Sequence, residues 1–121
     1  MSNKKKLVVA ISNGLNDERS SVGWTVANSG INTGLDVSVF LVSSAVDCVR
    51  KYAGAAQLNP LDPTIGEMVD NFMASGGEIM VCPACIKVRG YGPKDLLEGV
   101  EIKGAPAMHE MIKDGAATLS F

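Results

Sequence analysis

Short apolar runs alternate along this chain with longer segments of helical period, and this alternation restricts the possible folds more than any other feature. Residues 7–11 (LVVAI) are apolar without interruption, as in a strand that is buried on both faces of a parallel sheet. Helices between such strands cover the two faces of the sheet. The pattern predicts an α/β fold: a single three-layer α/β/α domain with a mostly parallel, roughly five-stranded sheet. The predicted strands are residues 7–11, 36–42, 78–82, 100–102 and 117–121.

The clearest predicted helix begins at Thr64, directly after a proline. Thr64 and Glu67 have the spacing of a capping box, and a glycine pair at Gly76–Gly77 ends the segment. The other predicted helices are residues 16–34, 45–52, 83–90 and 105–114. Two of them carry a recognisable apolar face, which we expect to turn toward the sheet. The apolar residues are Val22, Val26 and Ile31 in the first helix, and Met108, Met111 and Ile112 in the last. In the first helix the interleaved small residues Gly23, Ala27 and Gly30 allow close approach to a sheet.

Length and composition exclude several classes of protein. The chain has 121 residues, which is enough for one domain and too few for two. Its 46% hydrophobic and 20% charged residues exclude a disordered chain. Thirteen acidic residues against eleven basic ones give a formal charge of -2, which argues against a nucleic acid or a membrane as the partner.

The N-terminal segment and the cysteines predict the cellular compartment. The basic run Lys4–Lys6 precedes only five apolar residues, which is too short for a signal peptide, and no run approaches the ~18 apolar residues of a membrane span. The chain has three cysteines, and two of them form one C-x-x-C. An odd number of cysteines with this spacing does not match the disulfide framework of a secreted protein. These features predict a cytoplasmic protein.

Three segments that follow predicted strands are expected to meet at one edge of the sheet. Parallel strands end on the same side, and ligands collect at their carboxyl ends. The segments are Ser12–Gly14, Ser43–Ser44 and Cys82–Cys85. In the last one, Pro83 suits the first position of a helix, which makes Cys82 the N-cap and places Cys85 one turn further on.

A cysteine at a helix N-terminus is a candidate nucleophile. The free amides and the helix dipole stabilise a thiolate there, and the thiolate is the reactive form. Cys82 is therefore the predicted reactive residue, and Cys85 is close enough to exchange sulfur with it or to form a disulfide. Lys87 and Arg89 add positive potential if their side chains turn back toward the site. The alternative is that both cysteines only fill space as small apolar residues.

Other ligand-binding motifs are not met. The loop after the first strand has one glycine, so it fits neither a P-loop nor a dinucleotide fingerprint, and there is no G-x-S-x-G. A zinc site would need Cys48 and His109 beside the C-x-x-C, but we expect Cys48 to pack in the core and His109 to lie at the surface. We therefore expect no metal and no organic cofactor.

Residues 81–91 resemble the cysteine segment of the DsrE/DsrF-like family, close to its YchN-like branch. That branch carries C-x-x-C-x-x-x-R-G after its third strand, and the matching residues here are Cys82, Cys85, Arg89 and Gly90. The opening strand followed by Asn13 and Asp17, residues 95–100 and the ending 119–121 also fit. The resemblance spans essentially the whole chain and implies one DsrE-like domain over residues 1–121.

Membership of this family would imply homo-oligomers, often trimers or hexamers, and sulfur handling. In the sulfur-oxidation and tRNA-thiolation branches, sulfane sulfur is carried as a persulfide on a cysteine eight residues before the R-G glycine, a position that maps onto Cys82. The leading hypothesis is a cytoplasmic sulfur carrier that exchanges sulfur with donor and acceptor proteins. Cys85 would receive the sulfur next, or release it by forming a disulfide. The proposed supporting residues are Asn13, Ser43, Lys87 and Arg89.

Two other functions use the same observations. The cysteine pair is also compatible with a thiol/disulfide redox protein, as in thioredoxin-like C-x-x-C motifs. A non-enzymatic assembly or binding subunit is the third class, because residues 53–61 form an apolar loop suited to a subunit interface. Whether the chain is an enzyme stays open on the sequence.

Overall fold

The computed structural model describes residues 4–121, in which strands and helices alternate. The strands are β1 (Lys6–Ile11), β2 (Asp36–Leu41), β3 (Glu78–Val81), β4 (Glu101–Ile102) and β5 (Ala117–Ser120). The helices are α1 (Arg19–Asn32), α2 (Ile65–Ala74), α3 (Pro83–Val88) and α4 (Ala105–Lys113), with 3-10 helices at Ser43–Val49 and Pro93–Asp95.

The five strands form one sheet in the order β4-β3-β2-β1-β5, and every neighbouring pair is parallel. Val39 in β2 is aligned with Val9 in β1 and with Ile79 in β3. Because all strands run the same way, β1, β2 and β3 end at one edge of the sheet. The predicted α/β fold with a five-stranded parallel sheet is confirmed.

Side chains alternate between two apolar clusters, one on each face of the sheet. On the larger side, Trp24 of α1 meets Phe72 of α2 edge to face, with ring centroids 5.8 Å apart. On the smaller side, the buried residues are Val8, Phe40 and Met80, and half-buried Met108 and Met111 of α4 cover them. The molecule is thus a three-layer α/β/α sandwich whose second face is covered by a single α-helix.

The buried face of α1 differs from the predicted one. Val22 is 45% exposed, whereas Gly23, Trp24 and Gly30 are buried. A Cβ on Gly23 would lie 2.8 Å from the Ile11 side chain, so the glycine lets the helix backbone approach the sheet more closely than an apolar side chain would. The predicted close approach of the small residues to the sheet is therefore confirmed, whereas the inward position expected for Val22 is wrong.

Two further expectations need correction. Ile112 does not face inward: it is 43% exposed, and the residues of α4 that pack on the small cluster are Ala107, Met108 and Met111. The predicted helix at residues 45–52 is a 3-10 helix at Ser43–Val49. The first helix begins at Arg19, within the predicted segment 16–34. Within residues 4–121, no helix has the length and apolar character needed to cross a bilayer.

Candidate functional site

The three loops predicted to converge do meet at the carboxyl edge of the sheet. The Ser44 hydroxyl donates to the Ser12 carbonyl at 3.4 Å, which joins the loops after β1 and β2. Gly14 packs against this contact so closely that a Cβ would lie 2.5 Å from the Ser44 carbonyl oxygen. The Ser43 amide in turn donates to the sulfur of Cys85 at 3.1 Å, which joins the loop after β2 to the C-x-x-C segment.

Cys82 caps α3 as its sequence position predicts. Its backbone is extended (φ -62, ψ 122), Pro83 follows in the first turn, and its amide donates to the Leu41 carbonyl at 3.0 Å. Its side chain forms no capping hydrogen bond. The cap is thus made by the backbone and by proline, and the sulfur stays available for other contacts.

The two sulfurs have opposite titration behaviour. Partial burial opposes ionisation of Cys82, but the hydrogen bond from the Cys85 side chain and the amides of Cys85 and Ala84 outweigh it, so the pKa of Cys82 is lowered. The pKa of Cys85 is raised, first by burial and then by its hydrogen bond to Cys82, against the opposing effect of the Ser43 amide. The Ser43 N–H therefore binds the Cys85 sulfur, and the neighbouring Cys85 side chain favours the Cys82 thiolate.

Ser43 holds its amide in this position through an unusual backbone conformation. Its φ of 53° lies in the left-handed region, which a residue with a side chain adopts at a cost. Such outliers persist where surrounding contacts fix them, often at functional sites. The turn after β2 is therefore strained at the residue whose N–H binds Cys85.

The other predicted supporting residues differ in whether they contact the cysteine pair. The Arg89 guanidinium donates to the Cys85 carbonyl at 3.0 Å, and its charge favours the Cys85 thiolate. Lys87 is exposed in the last turn of α3, and Asn13 is half-buried in the loop after β1. In the described part of the chain, no hydrogen bond or ion pair connects Lys87 or Asn13 with either sulfur. Ser43 and Arg89 are thus the two that contact the cysteine pair.

The cysteine pair lies across the plane of the sheet and is reachable from solvent. Cys82 packs against the smaller cluster beside Met80 and Met108, whereas Cys85 packs against the larger one. Both sulfur-bearing residues are half-buried, and Pro83 and Ala84 between them are exposed. A small reagent or the thiol of another protein has access to this junction.

The third cysteine and the histidine lie elsewhere. Cys48 is only 2% exposed, and its sulfur is 3.3 Å from the Ser20 hydroxyl. Burial raises the pKa of Cys48, so its thiol stays protonated. His109 is exposed on α4. Among residues 4–121, no three of the His, Cys, Asp and Glu side chains come close enough together to hold a metal ion.

Sequence reasoning missed a second polar cluster near α3. The Tyr91 hydroxyl donates to Asp47 at 2.6 Å and accepts from the Arg50 guanidinium at 2.9 Å. These residues come from segments about forty positions apart, and no motif links them. The segments are brought together where Arg50 forms an isolated antiparallel bridge with Leu96.

Fold and site together define a small parallel α/β protein with a cysteine pair at the junction of β3 and α3. A family model for the DsrE/DsrF-like family matches residues 4–121. This chain belongs to the DsrE/DsrF-like family.

Similar solved structures agree with the observed fold. The structure of YchN from E. coli superimposes with a TM-score of 0.80 at 22% identity and covers 98% of this chain and 99% of its own. MTH1491 from Methanobacterium thermoautotrophicum, described as a protein of unknown function, gives 0.71 at 19% identity, with coverage of 98% of this chain and 100% of its own.

Curated relatives are uncharacterised proteins from archaea. MJ0989 of Methanocaldococcus jannaschii is 29% identical over 96 residues, which is 78% of this chain and 77% of that protein. MJ0760 of the same organism is 29% identical over 91 residues, 75% of this chain, but the aligned part spans only 33% of the longer relative.

Proposed function

We propose that this protein is a cytoplasmic sulfur carrier that accepts sulfane sulfur as a persulfide on Cys82. The observation that carries the proposal is the position of Cys82 at the N-cap of α3, one turn before Cys85, whose sulfur accepts the Ser43 N–H at 3.1 Å. The Cys85 side chain and the amides of Cys85 and Ala84 lower the pKa of Cys82. A thiol whose ionised form is stabilised by a neighbouring donor is a good nucleophile near neutral pH. Family membership supports the same chemistry, since sulfur handling is what the resemblance implies.

The transfer needs no external oxidant or reductant. The Cys82 thiolate attacks the outer sulfur of a donor persulfide, a new S–S bond forms at Cys82, and the old S–S bond breaks. The electron pair of the broken bond leaves with the donor thiolate. The same exchange in reverse, with the thiolate of an acceptor protein as nucleophile, removes the sulfur again.

The Cys85 thiol and the Arg89 guanidinium have distinct roles in this proposal. The Cys85 S–H stabilises the Cys82 thiolate before attack and receives the outer sulfur next once it is itself ionised. Arg89 holds the Cys85 carbonyl, which fixes the first turn of α3, and its charge favours that later ionisation. Lys87 and Asn13 contribute only general polarity at the rim of the site.

Mass spectrometry after incubation with a persulfide donor tests the proposal. The wild-type chain should gain about 32 Da, the mass of one sulfur atom, and Cys82→Ser should gain nothing. Cys48→Ser is the matched control, because Cys48 is buried far from solvent and should load like wild type. Equal loading of wild type and Cys82→Ser would contradict the carrier role.

A redox role is the second candidate, and the mutual influence of the Cys82 and Cys85 thiols on their pKa values favours it. A redox couple needs both sulfurs, so Cys85→Ser would abolish reversible disulfide formation. A carrier retains loading on Cys82 in the same variant. Parallel measurement of disulfide content and persulfide content therefore separates the two functions.

We further propose that the chain forms homo-oligomers. The α4–β5 surface has no buried residue, and Ile112 and Leu119 are 43% and 46% exposed. In the loop at residues 53–61, Ala56 and Leu58 already pack against the core, so the exposed apolar residues are Leu61, which is 92% exposed, and the smaller Ala55 and Pro60. Light scattering that reports the mass of a monomer at micromolar concentration would contradict this association.

A further inference from the structure

A cavity of about 380 Å³ lies beside the C-terminal end of α3, where four basic side chains meet. They are Arg50, Lys51, Arg89 and Lys94, and Asp95 is the single carboxylate in the lining. We call this the basic cavity. The chain as a whole carries a formal charge of -2, so this concentration of positive charge is local.

The charges of the basic cavity are only partly neutralised by the residues around it, because Asp47 and Asp95 both act on the Arg50 guanidinium. The Asp95 carboxylate accepts a hydrogen bond from the Gly92 amide at 2.8 Å rather than pairing with a lysine. Within residues 4–121, neither Lys51 nor Lys94 has a carboxylate partner in salt-bridge distance, and both are exposed. The exposed Lys51 and Lys94 thus line one solvent-filled space with Arg50 and Arg89, whose guanidinium groups also donate to the Tyr91 hydroxyl and to the Cys85 carbonyl.

The backbone that frames the basic cavity is fixed by cross-chain hydrogen bonds. The Lys51 amide donates to the Asp95 carbonyl at 2.8 Å, and the Leu97 amide donates to the Val49 carbonyl at 2.9 Å. Arg50 lies over the Tyr91 ring, 5.3 Å from its centroid. These contacts fix the backbone of the site and the Arg50 side chain before any ligand binds, which reduces the entropy lost on binding.

Tyr52 adds an aromatic surface to this site. Its side chain is 100% exposed, and its backbone φ of 69° lies in the left-handed region. An exposed aromatic ring on strained backbone contributes little to folding stability, whereas a flat ligand that stacks on it would gain contact area.

We propose that the basic cavity binds a small phosphoanion, a ligand with one or two phosphate groups. Arginine forks and lysine ammonium groups match phosphate oxygens, and the volume falls in the range of small-molecule sites. The site goes beyond the proposed sulfur chemistry. Arg89 is its one shared residue, because it lines the cavity while its guanidinium contacts the Cys85 carbonyl.

Isothermal titration calorimetry of the reduced protein with pyrophosphate and with AMP tests this site. Dissociation constants below about 1 mM are expected, with affinity that falls as ionic strength rises. Lys51→Gln and Lys94→Gln should each weaken binding by about fivefold to tenfold, since each removes one charge-assisted contact. Lys113→Gln is the matched control on α4, where Lys113 pairs with Glu110, and should leave affinity unchanged.

The two ligands distinguish the source of the phosphate. If Tyr52→Ala weakens the binding of AMP but not of pyrophosphate, the site binds a phosphorylated ring compound. If the substitution changes the affinity for neither ligand, the site recognises the phosphate alone. Both results support the proposal. Absence of heat with both ligands, or equal losses in Lys94→Gln and Lys113→Gln, would overturn it. Binding should persist in Cys82→Ser, so failure of the sulfur carrier and failure of this site are separable.

Discussion

The backbone N–H of Ser43 binds the sulfur of Cys85 at 3.1 Å, across 42 positions of the chain. Ser43 begins the 3-10 helix after β2, and Cys85 lies in the first turn of α3 after β3, so the contact depends on the order of strands in the sheet. The contact gives the two cysteines different surroundings, because the Ser43 amide binds the Cys85 sulfur and not that of Cys82. Four predictions depend on this geometry and on the packing around it.

The first prediction concerns the order in which the thiols ionise. Cys82 should react with iodoacetamide at lower pH than Cys85, since the pKa of Cys82 is lowered and that of Cys85 is raised. Cys85→Ala removes the S–H donor and should raise the pKa of Cys82, whereas Cys85→Ser retains a hydroxyl donor and should raise it less. Alkylation rates against pH, resolved by peptide mass spectrometry, measure this. Faster labelling of Cys85 than of Cys82 would contradict it.

The second prediction tests the strained turn at Ser43. Ser43→Gly retains the amide and removes the Cβ that is crowded at φ 53°, so stability should be unchanged or slightly higher. Ser43→Val places a β-branched side chain at the same φ and should cost about 1–3 kcal/mol. Urea unfolding gives both values. Equal stability of the valine and glycine variants would mean that the turn is not held in this conformation.

The third prediction concerns the close approach of the loops after β1 and β2. Gly14→Ala puts a methyl group 2.5 Å from the Ser44 carbonyl oxygen, so the loops must separate at a cost of about 1–3 kcal/mol. Separation should also weaken the Ser43–Cys85 contact and change the alkylation rate of Cys85. Gly92→Ala is the matched control: its Cβ would meet nothing closer than 3.9 Å, and stability should change by less than about 0.5 kcal/mol.

The fourth prediction is a pH effect from buried Cys48. Burial raises its pKa in the folded chain, so above about pH 9 the unfolded thiol ionises while the folded one stays protonated. The unfolded state then binds fewer protons, and stability should fall with rising pH by up to about 1.4 kcal/mol per unit until the folded pKa is passed. Cys48→Ala should show a shallower decline from pH 9 upward and the same slope as wild type below pH 8. Parallel slopes above pH 9 would contradict the assignment.

The features that the sequence predicts well are those decided by neighbours along the chain. Thr64 and Glu67 form both hydrogen bonds of the predicted capping box, at 3.2 Å and 3.4 Å. Pro83 and Cys82 begin α3 at the expected positions. The strand runs and their alternation with helices were enough for the fold class, because strand burial and helix caps are local patterns.

The features that the sequence predicts poorly depend on contacts between distant segments of the chain. Val22 has the character of a core residue, yet glycine at position 23 decides which side of α1 meets the sheet. The role of the Ser43 amide has no side-chain signal, since it depends on one φ angle. The basic cavity likewise arises where the chain around Arg50 meets the chain around Asp95, and no spacing in the sequence encodes that meeting.

Because Cys82 is packed in one apolar cluster and Cys85 in the other, each sulfur is held by a different layer of the sandwich. The distance between the two sulfurs therefore depends on how the two layers pack against the sheet. A substitution beneath α1 should therefore change the surroundings of Cys85, and one beneath α4 those of Cys82. The reactivity of the two thiols thus reports on the packing of both faces of the sheet.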